Sequence, residues 1–268
     1  MKDKSKIRLL RTALAVITIA CLLPVVQSCC LSVMHERQQR QLKAQKTESD
    51  TLNQQENQEE IRNMEDSAQS PKGEQQILAQ LAGLYRKNND LVGWLTIEGT
   101  KIDYPVMQCK DDEYYLNHNF QKEEDRYGCL YVKSIADVDT PGTNAIIYGH
   151  QMKDGSMFGE LDKYDSELFC REHEKIKFDT LYEEREYQVM AVFFTQIFEK
   201  DDGEFCYYQF YEAETEEEFL EFYKHVKTMS IYDTGVTAEF GDTFLTLSTC
   251  SGYAENGRFV VVAKRTGK

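Results

Sequence analysis

Residues 243–265 read TFLTLSTCSGYAENGRFVVVAKR. Two apolar runs, TFLTLSTC and RFVVVAKR, are rich in β-branched and aromatic residues and flank a short loop containing Ser, Gly and Asn. That pattern predicts two antiparallel strands joined by a turn. Cys250 closes the first strand and Arg258 opens the second, so the loop 251–257 returns Arg258 to a place beside Cys250. A charge is poorly placed at the head of a strand as apolar as FVVVA unless it has a task. On local sequence alone, a half-buried structural thiol stays open for Cys250, as does an ion pair with Glu255 for Arg258.

Six further strand-like runs precede this pair: GWLTI, KIDYPVMQ, GCLYVK, TNAIIYGH, EKIKFDT and REYQVMAVFFTQ. Short polar turns join most of them, and Pro105 marks an edge or a bulge in the second. Helical spacing appears at ILAQLAGLYRKNND, starting at Ile77, and in part of GSMFGELDKYDSELFCREH. A third helix, TEEEFLEFYKHVKTMS, opens with a capping box from Thr215 to Glu218 and puts Phe219, Phe222, Tyr223, Val226 and Met229 on one face. Many short strands with few inserted helices predict a mainly β chain, closed or nearly closed into a barrel.

The histidines narrow the chemistry. His35 lies in a polar stretch, His173 and His225 lie in charged helical segments, and His118 fits an ordinary loop residue. His150 ends the apolar run NAIIYG, after a glycine that relieves crowding and before the polar QMKDGS. His150 and Cys250 therefore both stand where a buried strand emerges into a loop, at the mouth of a barrel. Cysteine supplies a soft nucleophile, histidine a proton shuttle near neutrality, and arginine a fixed cation for a developing oxyanion.

The N-terminal region has a different character. Lys2, Lys4, Lys6, Arg8 and Arg11 precede an uncharged run from Thr12 to Met34, long enough at about 1.5 Å per residue to cross a hydrocarbon core of roughly 30 Å. The expectation is a basic cytoplasmic tail over 1–11, a single-pass membrane anchor over 12–34 and a polar stalk over 35–76. The catalytic domain, 77–268, would then lie outside the cell. A cleaved secretory signal is the competing reading of 12–34, and Val26-Gln27-Ser28-Cys29 faintly resembles a lipoprotein cleavage site. Of the 31 basic and 46 acidic side chains, 10 and 9 fall in residues 1–71, leaving a net charge of −16 beyond them. That balance disfavours nucleic acid as a partner and tolerates free amines. Five of the eight cysteines lie beyond the apolar run, an odd number, and no CxxC or zinc-ligand spacing occurs.

TLSTC followed by RFVVVAKR, with IIYGHQM about a hundred residues earlier, resembles the sortases, and within them class B. LVGWLTIEGTKIDYPVMQ, DDEYYLNHNF and GCLYV are similar to the same family. The resemblance implies an eight-stranded sortase-like β-barrel with an N-terminal helix and a long helix between the sixth and seventh strands. It also implies a cysteine transpeptidase, monomeric, with no cofactor and no metal. Its partners would be proteins bearing an LPxTG-like C-terminal sorting signal and an amine of the peptidoglycan cross-bridge. Cys250 would attack the signal's threonine carbonyl, His150 would move the proton, and Arg258 would hold the oxyanion. Leu116 and Ser248 match the family's substrate groove. Ser251 and Gly252 stand where some members carry an acidic residue, and Asp112 stands where some carry asparagine. A pilin-polymerising enzyme using a lysine amine is the nearest alternative. A catalytically idle binding module is the alternative of another class. An L,D-transpeptidase would show a histidine just before the cysteine, as in SHGC, and this chain has none.

Overall fold

The computed structural model describes residues 2–63, 76–140, 142–198 and 203–267. Two compact units divide the chain, Met1–Ala44 and Gln45–Lys268. The second contains eight strands: β1 Leu91–Thr96, β2 Asp103–Met107, β3 Leu130–Tyr131, β4 Asn144–Gly149, β5 Lys175–Thr180, β6 Glu186–Gln196, β7 Phe244–Cys250 and β8 Gly257–Thr266. Each falls within one of the runs expected from sequence or overlaps it to within a residue or two. They close into a barrel in the order β1-β2-β3-β4-β7-β8-β6-β5.

Two pairings in that ring are parallel, β2 with β3 and β4 with β7; the rest are antiparallel. Pro105 pairs with Trp94 of β1 on one side, while β3 pairs only with Val106 and Met107 on the other. Its missing N–H therefore removes no bond from the ladder, which is why a proline is tolerated inside a closed barrel.

Alternation along each strand separates two faces. Ala145 and Ile147 of β4, Leu245 and Leu247 of β7, and Phe259, Val261 and Ala263 of β8 belong to the barrel's interior core. Phe244 of β7, with Val260 and Val262 of β8, faces outward into a second apolar cluster. That cluster is roofed by the long helix α4, Glu216–Met229, which lies between β6 and β7 as expected. Both halves of its capping box form, Thr215 accepting from Glu218 N and Glu218 reaching back to the N-cap. Phe219, Phe222 and Val226 are its buried stripe, with Tyr223 and Met229 half-buried beside them.

The remaining helices are α1 Lys2–Asn63, α2 Ala79–Tyr85 and α3 Glu167–Glu172. The part of the polar stretch beginning at Gln45 belongs to the barrel's unit, where Lys46 lies 3.5 Å from Asp179 and 5.1 Å from the Trp94 ring centroid. Of the expected stalk, 35–63 is helical, and 64–75 lies outside the described residues.

The expected membrane anchor over 12–34 is overturned. Among the described residues, no helix is long and apolar enough to cross a membrane. With the anchor go the cytoplasmic N-terminus and the single-pass attachment built on it. The run lies inside one helix that begins in the basic residues 2–11 and continues unbroken into the polar residues beyond Met34. The side chains of 12–19 and Val25 are outside the described residues.

Candidate active site

Strand order and register bring three distant residues together. In the antiparallel pair β7/β8, Cys250 is directly opposite Arg258, a relation that sets Cβ atoms about 4.5–5.5 Å apart. On the other side of β7, the parallel ladder with β4 ends at Gly149 opposite Thr249. One residue further along each strand stand His150 and Cys250. Strands in a sheet lie about 4.8 Å apart, so His150, Cys250 and Arg258 form a row across three adjacent strands with the thiol in the middle.

The row points away from the barrel interior. Ala145 and Ile147 face inward, so His150, an odd number of residues further on, takes the outward side. The same count from Leu247 puts Cys250 outward, and Arg258 shares its side of β8 with Val260 and Val262. The sequence placed these residues at a barrel's mouth; the structure puts them at strand ends on the outer wall. Cys250 is exposed. A cavity of about 460 Å³ between residues 203–212 and α4 contains none of the three.

Each member is held by its surroundings. The Arg258 Nη1 donates to the carbonyls of Asn256 (3.2 Å) and Gly257 (2.9 Å). Its Nη2 and Nε have no partner among the described residues, and Glu255 is not an ion-pair partner. The Thr249 hydroxyl donates to the Gly149 carbonyl at 2.8 Å, tying the ends of β4 and β7 just before His150 and Cys250. Gly149 has no room for a side chain: a Cβ there would lie 2.4 Å from Leu130 Cδ2 and 2.8 Å from Phe158 Cδ2.

His150 finds its partner in a backbone group. Its Nε2 lies 2.7 Å from the Leu116 carbonyl oxygen. A carbonyl can only accept, so Nε2 carries the hydrogen and Nδ1 is the other, variable nitrogen. Leu116, expected in the substrate groove, thus contributes its main chain to the histidine; its side chain is half-buried. Sequence reasoning could not see this, because a carbonyl is common to every residue type.

Ser248 is buried, and its hydroxyl is 2.6 Å from the equally buried Tyr207 hydroxyl. Tyr207 belongs to a segment stitched to the outer wall by Asn144, whose N–H donates to Tyr211 O (3.0 Å) and whose side chain donates to Phe210 O (2.9 Å). Burial raises the Tyr207 phenol to about 12, with the Ser248 hydrogen bond and the charge of Arg258 pulling the other way. Burial likewise raises Tyr131 to about 12 against the opposing charge of Arg258. Both flank the thiol as neutral hydroxyls at pH 7, so neither is a base. Neither is singled out by the sequence: Tyr131 reads only as part of the strand run GCLYVK, and Tyr207 falls in none of the runs. Asp112 uses a carboxylate oxygen to accept from Ser134 N at 2.6 Å, a structural duty for a residue that departs from some relatives.

The Tyr207–Ser248 bond predicts a stability effect. Tyr207→Phe leaves a buried serine oxygen without its partner, at a cost of about 1–3 kcal/mol. Denaturant unfolding of the variant should show that loss; an unchanged midpoint would mean that water or another group satisfies the serine.

A family model described as Sortase domain matches residues 95–266. Sortase B of Listeria monocytogenes serovar 1/2a is 36% identical over 199 residues, covering 72% of this chain and 76% of the relative. The chain belongs to the sortase family, in class B. Sortase B of Staphylococcus aureus strain NCTC 8325 is 32% identical over 195 residues, covering 72% of this chain and 77% of its own length. Among solved structures, sortase B from Bacillus anthracis in complex with AAEK2 superposes with a TM-score of 0.65 at 35% identity, covering 75% of this chain and 89% of that one. A Staphylococcus aureus sortase B–substrate complex gives 0.65 at 29%, covering 87% and 98%. The enzyme is a cysteine transpeptidase.

Exposure separates Cys250 from two of the other barrel cysteines. Cys129 and Cys170 are buried, and burial pushes both thiols up from their ordinary range. Iodoacetamide at mildly alkaline pH should therefore modify Cys250 in the folded sortase and spare Cys129 and Cys170 until denaturant is added. Peptide mapping reads the result, and early labelling of Cys129 would contradict this packing.

Proposed function

We propose that the enzyme cleaves an LPxTG-like C-terminal sorting signal at its threonine and transfers the upstream protein to an amine of the peptidoglycan cross-bridge. The observation that carries the reading is the row His150–Cys250–Arg258 on one face of three adjacent strands.

In this mechanism the Cys250 thiolate attacks the threonine carbonyl carbon, and a C–S bond forms as the carbonyl pair moves onto oxygen. The unoccupied N–H groups of Arg258 receive that oxyanion; preorganised donors of this kind lower such barriers by several kcal/mol. Collapse breaks the C–N bond, and the departing amine takes a proton from His150 Nδ1. A thioacyl enzyme remains. The incoming amine attacks it, gives its proton back to Nδ1 and releases the Cys250 thiolate, leaving a new amide. Residues 77–268 constitute the catalytic domain in this reading. The acidic balance beyond residue 71 favours a cationic acceptor over an anionic one.

The test is a library of signal peptides offered with diverse amine acceptors and read by mass spectrometry. The expected product joins the threonine acyl group to the amine. Cleavage elsewhere in the peptide, or no transfer to any amine, would overturn the reading. Preference for a lysine side chain over cross-bridge amines would instead favour pilin polymerisation.

A further inference from the structure

The hydrogen bond from His150 to Leu116 depends on where a one-turn 3-10 helix, Tyr114–Leu116, sits. That turn is held from below. Tyr115 is buried; its hydroxyl donates to Asp90 Oδ2 at 2.7 Å and accepts from Asn88 Nδ2 at 2.9 Å. The Tyr115 carbonyl accepts from Cys129 N at 2.8 Å. Between these anchors the turn rests on Gly128.

Gly128 has φ +58, the left-handed region. A Cβ there would lie 2.4 Å from the Tyr115 oxygen, 2.6 Å from the Leu116 oxygen and 2.9 Å from the Leu116 carbonyl carbon. All three are backbone atoms, which cannot swing aside as a side-chain tip can. Any other residue must push the turn away, and the oxygen it pushes hardest after that of Tyr115 is the one bonded to His150.

We propose that Gly128 is a positioning residue for catalysis: its bare α-carbon lets the Leu116 carbonyl lock the Nε2–H form of His150, leaving Nδ1 as the nitrogen that exchanges the proton. This rests on the reading of His150 as the proton shuttle. The chain needs no acidic residue after Cys250 to orient the ring, because a main-chain oxygen does so. With that oxygen displaced, the ring loses its tether and the neutral imidazole divides between its two tautomers. Misplacing a catalytic group by about 1 Å costs on the order of 10²-fold in rate.

The test records side-chain nitrogen spectra of His150 in the whole enzyme through a pH series, in wild type and in Gly128→Ala. In wild type, Nδ1 should lose the proton on deprotonation while Nε2 keeps its own. In Gly128→Ala, the Nδ1–H tautomer should appear, and kcat should fall roughly 10²-fold. Gly235→Ala is the control: φ there is +76 with nothing within 4 Å, so it carries the backbone strain without the collision, and its kcat should match wild type. A wild-type ring that keeps hydrogen on Nδ1 overturns the inference, even if Gly128→Ala fails to fold. So does a folded Gly128→Ala with wild-type spectrum and kcat. Full activity in His150→Ala overturns the proton-shuttle reading instead, whatever the spectrum shows.

Discussion

Cys250→Ala is expected to lower kcat/KM for a sorting-signal peptide by on the order of 10⁴-fold or more, as loss of a covalent nucleophile does elsewhere. Without Sγ no thioacyl bond can form, and no neighbouring group replaces it. Tyr131 and Tyr207 are held neutral by burial, and Ser248 is buried against Tyr207. The loss should be chemical rather than structural. Cys250 is exposed at the last residue of β7, and surface substitutions change stability by no more than about 0.5 kcal/mol. The variant should therefore keep the wild-type unfolding midpoint while turnover disappears. Residual activity near wild type would remove Cys250 from the mechanism.

The second large effect is expected at Arg258. Arg258→Ala should reduce kcat by about 10²–10³-fold, the scale on which one oxyanion donor acts. Arg258→Lys should recover only part of this. A lysine keeps the charge but is a single compact point, without a planar fork that can engage two groups at once. In this enzyme one arm of the fork already holds the Asn256 and Gly257 carbonyls, so the other donors are aimed by a fixed base. Lysine cannot hold the loop and reach the oxyanion together. Steady-state kinetics of the two variants checks the order, and a lysine variant as active as wild type would reduce the requirement to charge alone.

How much of this was legible in the sequence differs by feature. The strands were, because alternation over runs such as FLTLSTC and FVVVA encodes two buried faces, one toward Leu247 and Val261 and one toward Phe244 and Val260. α4 was, because its cap and its stripe are both local. The closeness of His150 to Cys250 was not encoded locally. It depends on a parallel pairing of β4 with β7 across a hundred residues; the residues alone placed both at strand ends, and the family resemblance paired them in one site. The hydrogen bond that orients His150 was invisible, since its acceptor is backbone. Ser248 illustrates a subtler gap: its place beside the nucleophile was legible, but its burial under Tyr207 depends on how residues 207–213 fold back on the wall. The membrane anchor rested on the absence of charge over 12–34, and among the described residues no helix is long and apolar enough to cross a membrane.

The central claim, that Cys250 carries the acyl group, is tested most directly by the mass of the enzyme caught during turnover. Wild-type enzyme given a signal peptide without an amine acceptor, and quenched in acid, should gain the mass of the fragment ending at threonine. Peptide mapping should place it on Cys250, and added amine should discharge it. An adduct on any other residue, or cleavage at the full rate with no adduct at all, would contradict the account.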